Sequence, residues 1–295
     1  MRLSSVRRII GLLVTVFSLF MLPPYLVAII YGDGESRAFG LSFILILLIG
    51  LAIWRPKRNR QFDLRLRDGF LVVALFWVVL GLLGALPFLL ARSITLSPTD
   101  AIFESISGLT TTGATVMSGL DALPHAILFY RQQLQWFGGM GIIVLAVAVL
   151  PMLGVGGMQL YRAETPGPVK DNKLTPRITE TAKSLWLIYL LLTIVCAAAY
   201  FLAGMGLFDA ICHSFSTVSI GGFSPHDASI GYFDSRAIEW ICILFMFIAG
   251  INFSLHFVAW RQMNIMQYIK DPEFNAYVVV LSGLIILVSV HLWWA

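Results

Sequence analysis

The chain has 295 residues, of which 58% are apolar and 12% charged, with a net charge of +4. A soluble domain carries roughly 25% charged residues, so this composition excludes a wholly water-exposed globule and places most of the chain in lipid. Three cysteines, Cys196, Cys212 and Cys242, show no Cys-x-x-Cys or Cys/His metal spacing and read as free thiols packed between helices.

A bilayer core takes about 20 apolar residues as helix. Candidate spans lie at 9–31, 38–54, 69–91, 127–153, 183–204, 237–260 and 275–294. Pro23-Pro24 predicts a kink in the first. That span is long, lacks a small-residue cleavage site and leads straight into the next, so it reads as a retained helix and not a signal peptide. Of the 20 basic residues, only Arg37, Arg92, Arg131 and Arg236 fall on one side of this arrangement. The remainder, including the cluster 55–67, fall on the other, which places the N-terminus in the cytoplasm. The basic stretch 55–67 then reads as an orientation signal touching anionic lipid, with no nucleic-acid role. Segments 92–126 and 205–236 lie on the outer face.

Those two outer segments contain a repeat. Residues Asp100 to Thr115, DAIFESISGLTTTGAT, lie over Asp209 to Ser224, DAICHSFSTVSIGGFS, without a gap at an offset of 109, and six of the sixteen positions are identical. Segment 97–109 is too short to cross a bilayer. Ser97 is a good N-cap, Pro98 suits the first helical position, and Asp100 suits the positive end of the helix dipole. The second copy starts after Gly204 and Gly206 with Asp209 in the matching place. Each unit therefore reads as a re-entrant loop: a span, a short helix, a Ser/Thr/Gly turn, and a second span. Non-helical backbone at membrane depth occurs only beside protein or a water-filled path, so Thr110–Thr115 and Ser219–Ser224 are expected to line a cavity.

The chemistry implied is a cation filter. A dehydrating potassium ion needs replacement oxygens, which backbone carbonyls supply when successive residues present them to one axis. Gly113 and Gly222 fall at equivalent positions, where glycine tolerates the dihedrals this requires. The negative end of each short helix would favour a cation in the cavity. Taken alone, TTTGAT also suits an ordinary outer loop; the second copy and its flanking spans favour the filter.

Glu104 and His213 occupy equivalent positions on the two short helices. Either could attract cations, but bracing the filter is the more ordinary role of such a group. Gln132, Gln133 and Gln135 sit near the outer end of span 127–153, where they either brace the filter or meet water. Gly138-Gly139-x-Gly141 is no dinucleotide fingerprint, because no strand precedes it. It favours close helix packing or bending. Asn252, Ser254 and His256 fall in span 237–260 and face either a cavity or a neighbouring helix.

The stretches SISGLTTTGAT (105–115), QQLQWFGGMGIIVLAVAVLP (132–151), AETPGP (163–168), KLTPRITETAK (173–183) and HSFSTVSIGGFS (213–224) resemble the TrkH/KtrB superfamily of potassium-uptake membrane proteins, and its Trk branch most closely. The resemblance implies an all-α polytopic fold of four helix–pore loop–helix units around one pore, preceded by a helical hairpin. On that pattern residues 1–54 are the hairpin, 55–68 a basic cytoplasmic loop, and 69–153 pore unit 1. Residues 154–182 are a cytoplasmic loop, 183–262 pore unit 2, and 263–295 the start of an incomplete unit 3. Two of four filter loops are then present, so the chain is expected to be a fragment of a longer protein, or else two copies close one pore.

By resemblance, Thr111, Thr112, Gly113, Ile220, Gly221 and Gly222 form the potassium filter, flanked by Thr110 and Ser219, with Glu104, His213 and Gln132 as bracing residues. The family's single filter glycine per loop, in place of a GYG triplet, implies modest discrimination against sodium. The resemblance also implies a homodimer in a bacterial inner membrane, docked on a cytosolic nucleotide-binding regulatory subunit (TrkA-like), with potassium as cargo, no organic cofactor and possible coupling to H⁺ or Na⁺. Potassium uptake driven by the membrane potential is thus the expected function. A non-conducting half-pore needing a partner chain is the alternative. An intramembrane enzyme using Glu104 and His213 or His256 is remote, since no catalytic motif appears.

Overall fold

The computed structural model describes residues 3–54, 66–141 and 178–294. Most of the basic stretch 55–68, the inner end of span 127–153 and nearly all of the loop 154–182 lie outside the described residues. The described residues are helical, without a strand.

In chain order, α1 (Leu3–Ser18) runs through a 3₁₀ turn at Leu19–Met21 into α2 (Leu22–Tyr31). The turn lies directly before Pro23-Pro24, which cannot donate to the preceding turn and so open a new helix at its first positions. Next come α3 (Ser36–Ile53), α4 (Leu66–Gly84) and α5 (Leu86–Leu90). The short α6 (Pro98–Leu109) is followed by α7 (His125–Gly139) and α8 (Ile178–Leu202). A second short helix, α9 (Leu207–Val218), precedes α10 (Arg236–Ala249) and α11 (Phe253–Gln262). The described part closes with α12 (Met266–Lys270) and α13 (Pro272–Trp294).

Five helical stretches among the described residues are long and apolar enough to cross a membrane: Ser4–Tyr31, Ser36–Ile53, Leu71–Leu90, Lys183–Leu202 and Pro272–Trp294. The expected continuous span 237–260 is instead two helices, α10 and α11, bent by 88°. The physical reason is local. Gly250 ends the first helix, and the Asn252 side chain accepts a hydrogen bond from the Ser254 amide (3.0 Å), starting a new helix as an N-cap does. His256 then spans the break through the Ile248 carbonyl (3.0 Å) and the Tyr268 hydroxyl (2.8 Å).

Two apolar cores hold the short helices in place. The first joins α1–α7 around Phe17, Met21, Phe39, Ile46, Phe88 and Leu134. The second joins α8–α10 to the end of α7 around Tyr189, Cys196, Tyr200, Val218 and Ile238. Between them runs α7, packed on both α6 and α9. Outward faces carry exposed Leu26, Ile30, Leu45 and Leu48, as helices in contact with lipid do.

Candidate functional site

The two short helices end alike. In α6 the Thr110 amide bonds to Ile106 O (2.8 Å), Thr111 to Gly108 O (3.0 Å) and Thr112 to Ser107 O (2.9 Å). In α9 the Ser219 amide bonds to Phe215 O (3.2 Å), Ile220 to Thr217 O (3.1 Å) and Gly221 to Ser216 O (2.8 Å). Every donor and acceptor is displaced by 109 residues. The last two bonds of each set form a Schellman cap, which requires a left-handed residue after the helix. Thr111 (φ 55°) and Ile220 (φ 53°) fill that role. Glycine is the usual occupant, because a β-branched residue is strained there. Two residues on, Gly113 (φ 74°) and Gly222 (φ 88°) return to positive φ. The alternation of backbone hand is the geometry that turns successive carbonyls out of the helix path.

The two loops touch at backbone level. A Cβ added at Gly113 would collide with the Gly221 carbonyl oxygen. One at Gly138, at the end of α7, would collide with the Leu109 carbonyl at the end of α6. The three-glycine run of α7 therefore serves close approach, one of the two readings its spacing allowed. Thr110 and Thr112 share a hydrogen bond between hydroxyls (2.8 Å), and Ser107 donates to the Ala114 carbonyl (2.6 Å).

Behind the loops lies a buried polar brace. The Arg131 Nε donates to Glu104 Oε1 at 2.7 Å, and neither side chain is exposed to solvent. Glu104 also accepts from the Thr115 hydroxyl (2.9 Å) and the Val116 amide (3.1 Å). The remaining Arg131 donors reach the Ser224 carbonyl (3.0 Å) and the Thr115 Oγ1 (3.0 Å), and its guanidinium lies 4.4 Å from the Phe223 ring centroid. One side chain thus ties the outgoing limb of the first loop to that of the second.

Two of the three glutamines of α7 reach the second unit and the third reaches the turn between α1 and α2. Gln135 Oε1 accepts from the Phe223 amide (3.0 Å), and Gln132 Oε1 accepts from Ser216 Oγ (2.7 Å) on α9. Gln133 turns the other way and donates to the Phe20 carbonyl (2.9 Å).

His213 differs from Glu104 although it holds the equivalent position. It is buried, its Nε2 has no hydrogen-bond partner among the described residues, and it does not bond the loop that follows it. Its ring lies edge-on to Phe233, 5.4 Å away, beside a cavity of about 400 Å³ that Ser216, Thr217 and Glu239 also line. Arg236, the cation at the start of α10, does not bond it, so among the described residues His213 makes none of the bracing hydrogen bonds that Glu104 makes.

Outside the loops, the His226 ring joins Asp121 through Nδ1 (2.5 Å) and Asp209 through Nε2 (3.2 Å). The hydrogen bond from His226 holds the Asp121 carboxyl below its ordinary range.

Sequence reasoning counted Arg131 only as an outer-face cation and left the partner of Glu104 unnamed. The signal was present: Arg131, Gln132 and Gln135 cluster on one stretch of an otherwise apolar helix, and intramembrane polar groups rarely face lipid.

Residues 35–295 match the family model TrkH, described as a cation transport protein. The chain belongs to the TrkH family. It is 60% identical over 99% of its length to the Trk system potassium uptake protein TrkH of Halomonas elongata, and covers 61% of that protein. It is 59% identical to the protein of the same description from Escherichia coli K12, with the same coverage of each chain. The crystal structure of the potassium transporter TrkH from Vibrio parahaemolyticus superimposes with a TM-score of 0.84 at 55% identity, covering 97% of this chain and 58% of that one. The chain therefore spans about three fifths of the length of the relatives it matches. Family membership and the apolar helices make it an all-α, multi-pass membrane protein.

Proposed function

We propose that the chain supplies two pore units of a potassium-uptake pathway, with Thr111, Thr112, Gly113, Ile220, Gly221 and Gly222 presenting filter carbonyls to the permeating ion. The observation that carries this reading is the repeated helix end. Two short helices, displaced by 109 residues, close with the same three backbone bonds and the same positive-φ positions, and their loops meet at Gly113 and Gly221. Thr110 and Ser219 flank the filter, and Glu104, Arg131, Gln132 and Gln135 hold the loops in register. The units run 69–153 and 183–262, after a hairpin at 1–54.

Potassium is the cargo, as the relatives' names say of those proteins. A unit charge gains about 2.3 kcal/mol per 100 mV of membrane potential, which suffices to drive inward flow without large protein motion. The bacterial inner membrane, a cytoplasmic N-terminus, a homodimer and a cytosolic nucleotide-binding subunit complete the proposal. They rest on the charge asymmetry of the loops and on family likeness. A transport role leaves no reaction for Glu104 to catalyse, since its carboxylate is consumed in the brace.

A second reading keeps the filter but denies flux to this chain alone. It is favoured by α13, whose residues are all partly or fully exposed, and by the open cavity beside His213. Both leave packing surface for further pore units.

The test is potassium and sodium flux in liposomes holding the 295-residue chain, with Gly113→Asp as control. The variant collides with the Gly221 carbonyl and is expected to insert normally but conduct nothing. Flux in the wild type alone means copies assemble a pore. Absence of flux, rescued by co-expressing the remaining units, selects the half-pore. Normal flux through Gly113→Asp would sink the filter assignment.

A further inference from the structure

Two of the four outer-side basic residues, Arg37 and Arg92, converge on one cavity. It measures about 200 Å³ and lies between the start of α3 and the chain leaving α5, with Glu35, Leu41 and Leu90 also in its wall. Both arginines are exposed. Among the described residues, neither guanidinium makes a hydrogen bond or ion pair.

Glu35 would be their natural partner, but its carboxylate is committed elsewhere. It is 3% exposed, and it accepts from the backbone amides of Arg92 (3.1 Å) and Ser93 (2.9 Å). Its oxygens are occupied by N–H groups, so neither guanidinium is paired with it directly, and two arginines against one carboxylate leave the concave site with a net positive charge. The positive end of the 18-residue α3 begins beside them.

The surface beyond the cavity is apolar. Leu41, Leu45 and Leu48 follow Arg37 at helical spacing on α3, and they are 40%, 42% and 58% exposed. A cationic pocket at the end of a helix, continuous with an apolar track along it, matches a molecule with an anionic head and a hydrocarbon tail. A free anion would use only the pocket. Arginine is the side chain best suited to a phosphate, through its planar fork of donors.

We propose that this cavity binds the phosphate of a membrane phospholipid, held by Arg37 and Arg92, with an acyl chain lying along Leu41, Leu45 and Leu48. Naming the outer leaflet rests on the orientation proposed above; the binding itself does not. The site would lock the hairpin to the first pore unit, since α3 belongs to one and α5 to the other. It also accounts for two arginines placed on the side where basic residues are few.

The experiment is native mass spectrometry of the full chain in detergent, titrated with phosphatidylglycerol. Arg37→Gln/Arg92→Gln is the test variant, and Arg236→Gln, an exposed outer-side arginine away from the cavity, is the control. The expected result is a resolved lipid adduct whose affinity falls at least tenfold in the double variant, roughly the loss of one charge-assisted contact, and is unchanged in the control. Should the double variant fail to fold, Arg37→Gln alone, on an exposed helix position, is expected to weaken the same adduct. Diacylglycerol and inorganic phosphate are expected to bind much more weakly than the phospholipid. Equal lipid binding by the arginine variants overturns the proposal. So does diacylglycerol matching the phospholipid, which would leave only the apolar track, or inorganic phosphate displacing the lipid completely, which would make the site one for a free anion.

Discussion

Arg131 and Glu104 form a pair with no access to water, and their energetics are lopsided. Burying two charges costs several kcal/mol per ion, which their attraction offsets only when hydrogen bonds satisfy the remaining donors and acceptors. Here Thr115, Val116 and Ser224 do so. Removing one partner strands the other, so Arg131→Met and Glu104→Gln are each expected to cost about 3–5 kcal/mol. The double variant should cost well below the sum, because no charge is left unpaired. Denaturation of the purified chain in detergent reads all three, and additive losses would mean that the two residues act independently. Ile220 poses the opposite case. A left-handed β-branched residue is strained by roughly 1–2 kcal/mol, while glycine adds back about 0.5–1 kcal/mol of chain entropy. Ile220 is also 47% exposed, so little apolar burial is lost. Ile220→Gly should therefore stabilise the fold slightly and loosen the loop, lowering potassium-over-sodium preference in a flux assay. A destabilised variant of unchanged preference would show that the side chain, not the backbone strain, matters there.

At the scale of elements, α7 was the least legible part of the sequence relative to its importance. Its helical nature was plain from the apolar run, and so was the repeat that α6 and α9 carry, because a gapless offset leaves a trace in residue identities. Which face of α7 meets which loop was not legible, since contacts between Arg131 and Ser224 join residues 93 apart. The break at Gly250 was hidden for another reason. Hydropathy averages over a window, and a three-residue interruption disappears in an apolar average although Gly250 and Asn252 carry the capping chemistry locally. The loops that follow α6 and α9 form a junction of their own, where His226 meets Asp121 and, at the start of α9, Asp209. The Asp121 carboxyl titrates below its ordinary value of about 3.8 because His226 hydrogen-bonds its charged form. A depressed acid stabilises the fold above its unfolded pKa and loses that contribution as pH falls through its folded pKa. The loop junction is therefore expected to hold at neutral pH and to loosen below about pH 4. Asp121→Asn should remove the part of that acid sensitivity that Asp121 supplies. Melting curves from pH 3 to 7 test this, and an identical acid limb in wild type and variant would count against the junction.

Across the whole molecule, exposure separates a well-packed assembly from an appended helix. Phe39 and Ile46 on α3 are fully enclosed by the first core, whereas Leu284 on α13 is 56% exposed and no residue of α13 is buried. The helix is held near its beginning, where Tyr277 donates to the Phe247 carbonyl (3.3 Å) and Asn252 donates to Glu273 (3.2 Å). Composition could not distinguish the two kinds of helix, because both are equally apolar; burial depends on what stands beside a helix, which a single strand of sequence does not record. The energetic consequence is measurable. Truncating a core side chain costs its transfer energy plus a cavity, about 2–5 kcal/mol for isoleucine to alanine. A lipid-facing or unpartnered position forms no cavity and typically costs under about 0.5 kcal/mol. Ile46→Ala should thus strongly destabilise the chain in detergent, and Leu284→Ala should leave its melting unchanged. On the half-pore reading proposed above, repeating the pair with the further pore units co-expressed turns the comparison into a map of assembly. If α13 packs against those units, Leu284→Ala acquires a cost it lacked alone, while that of Ile46→Ala stays constant. Were Leu284→Ala costly in the isolated chain as well, the exposed face would already be occupied by a second copy, and a pore closed by two chains would become the better description.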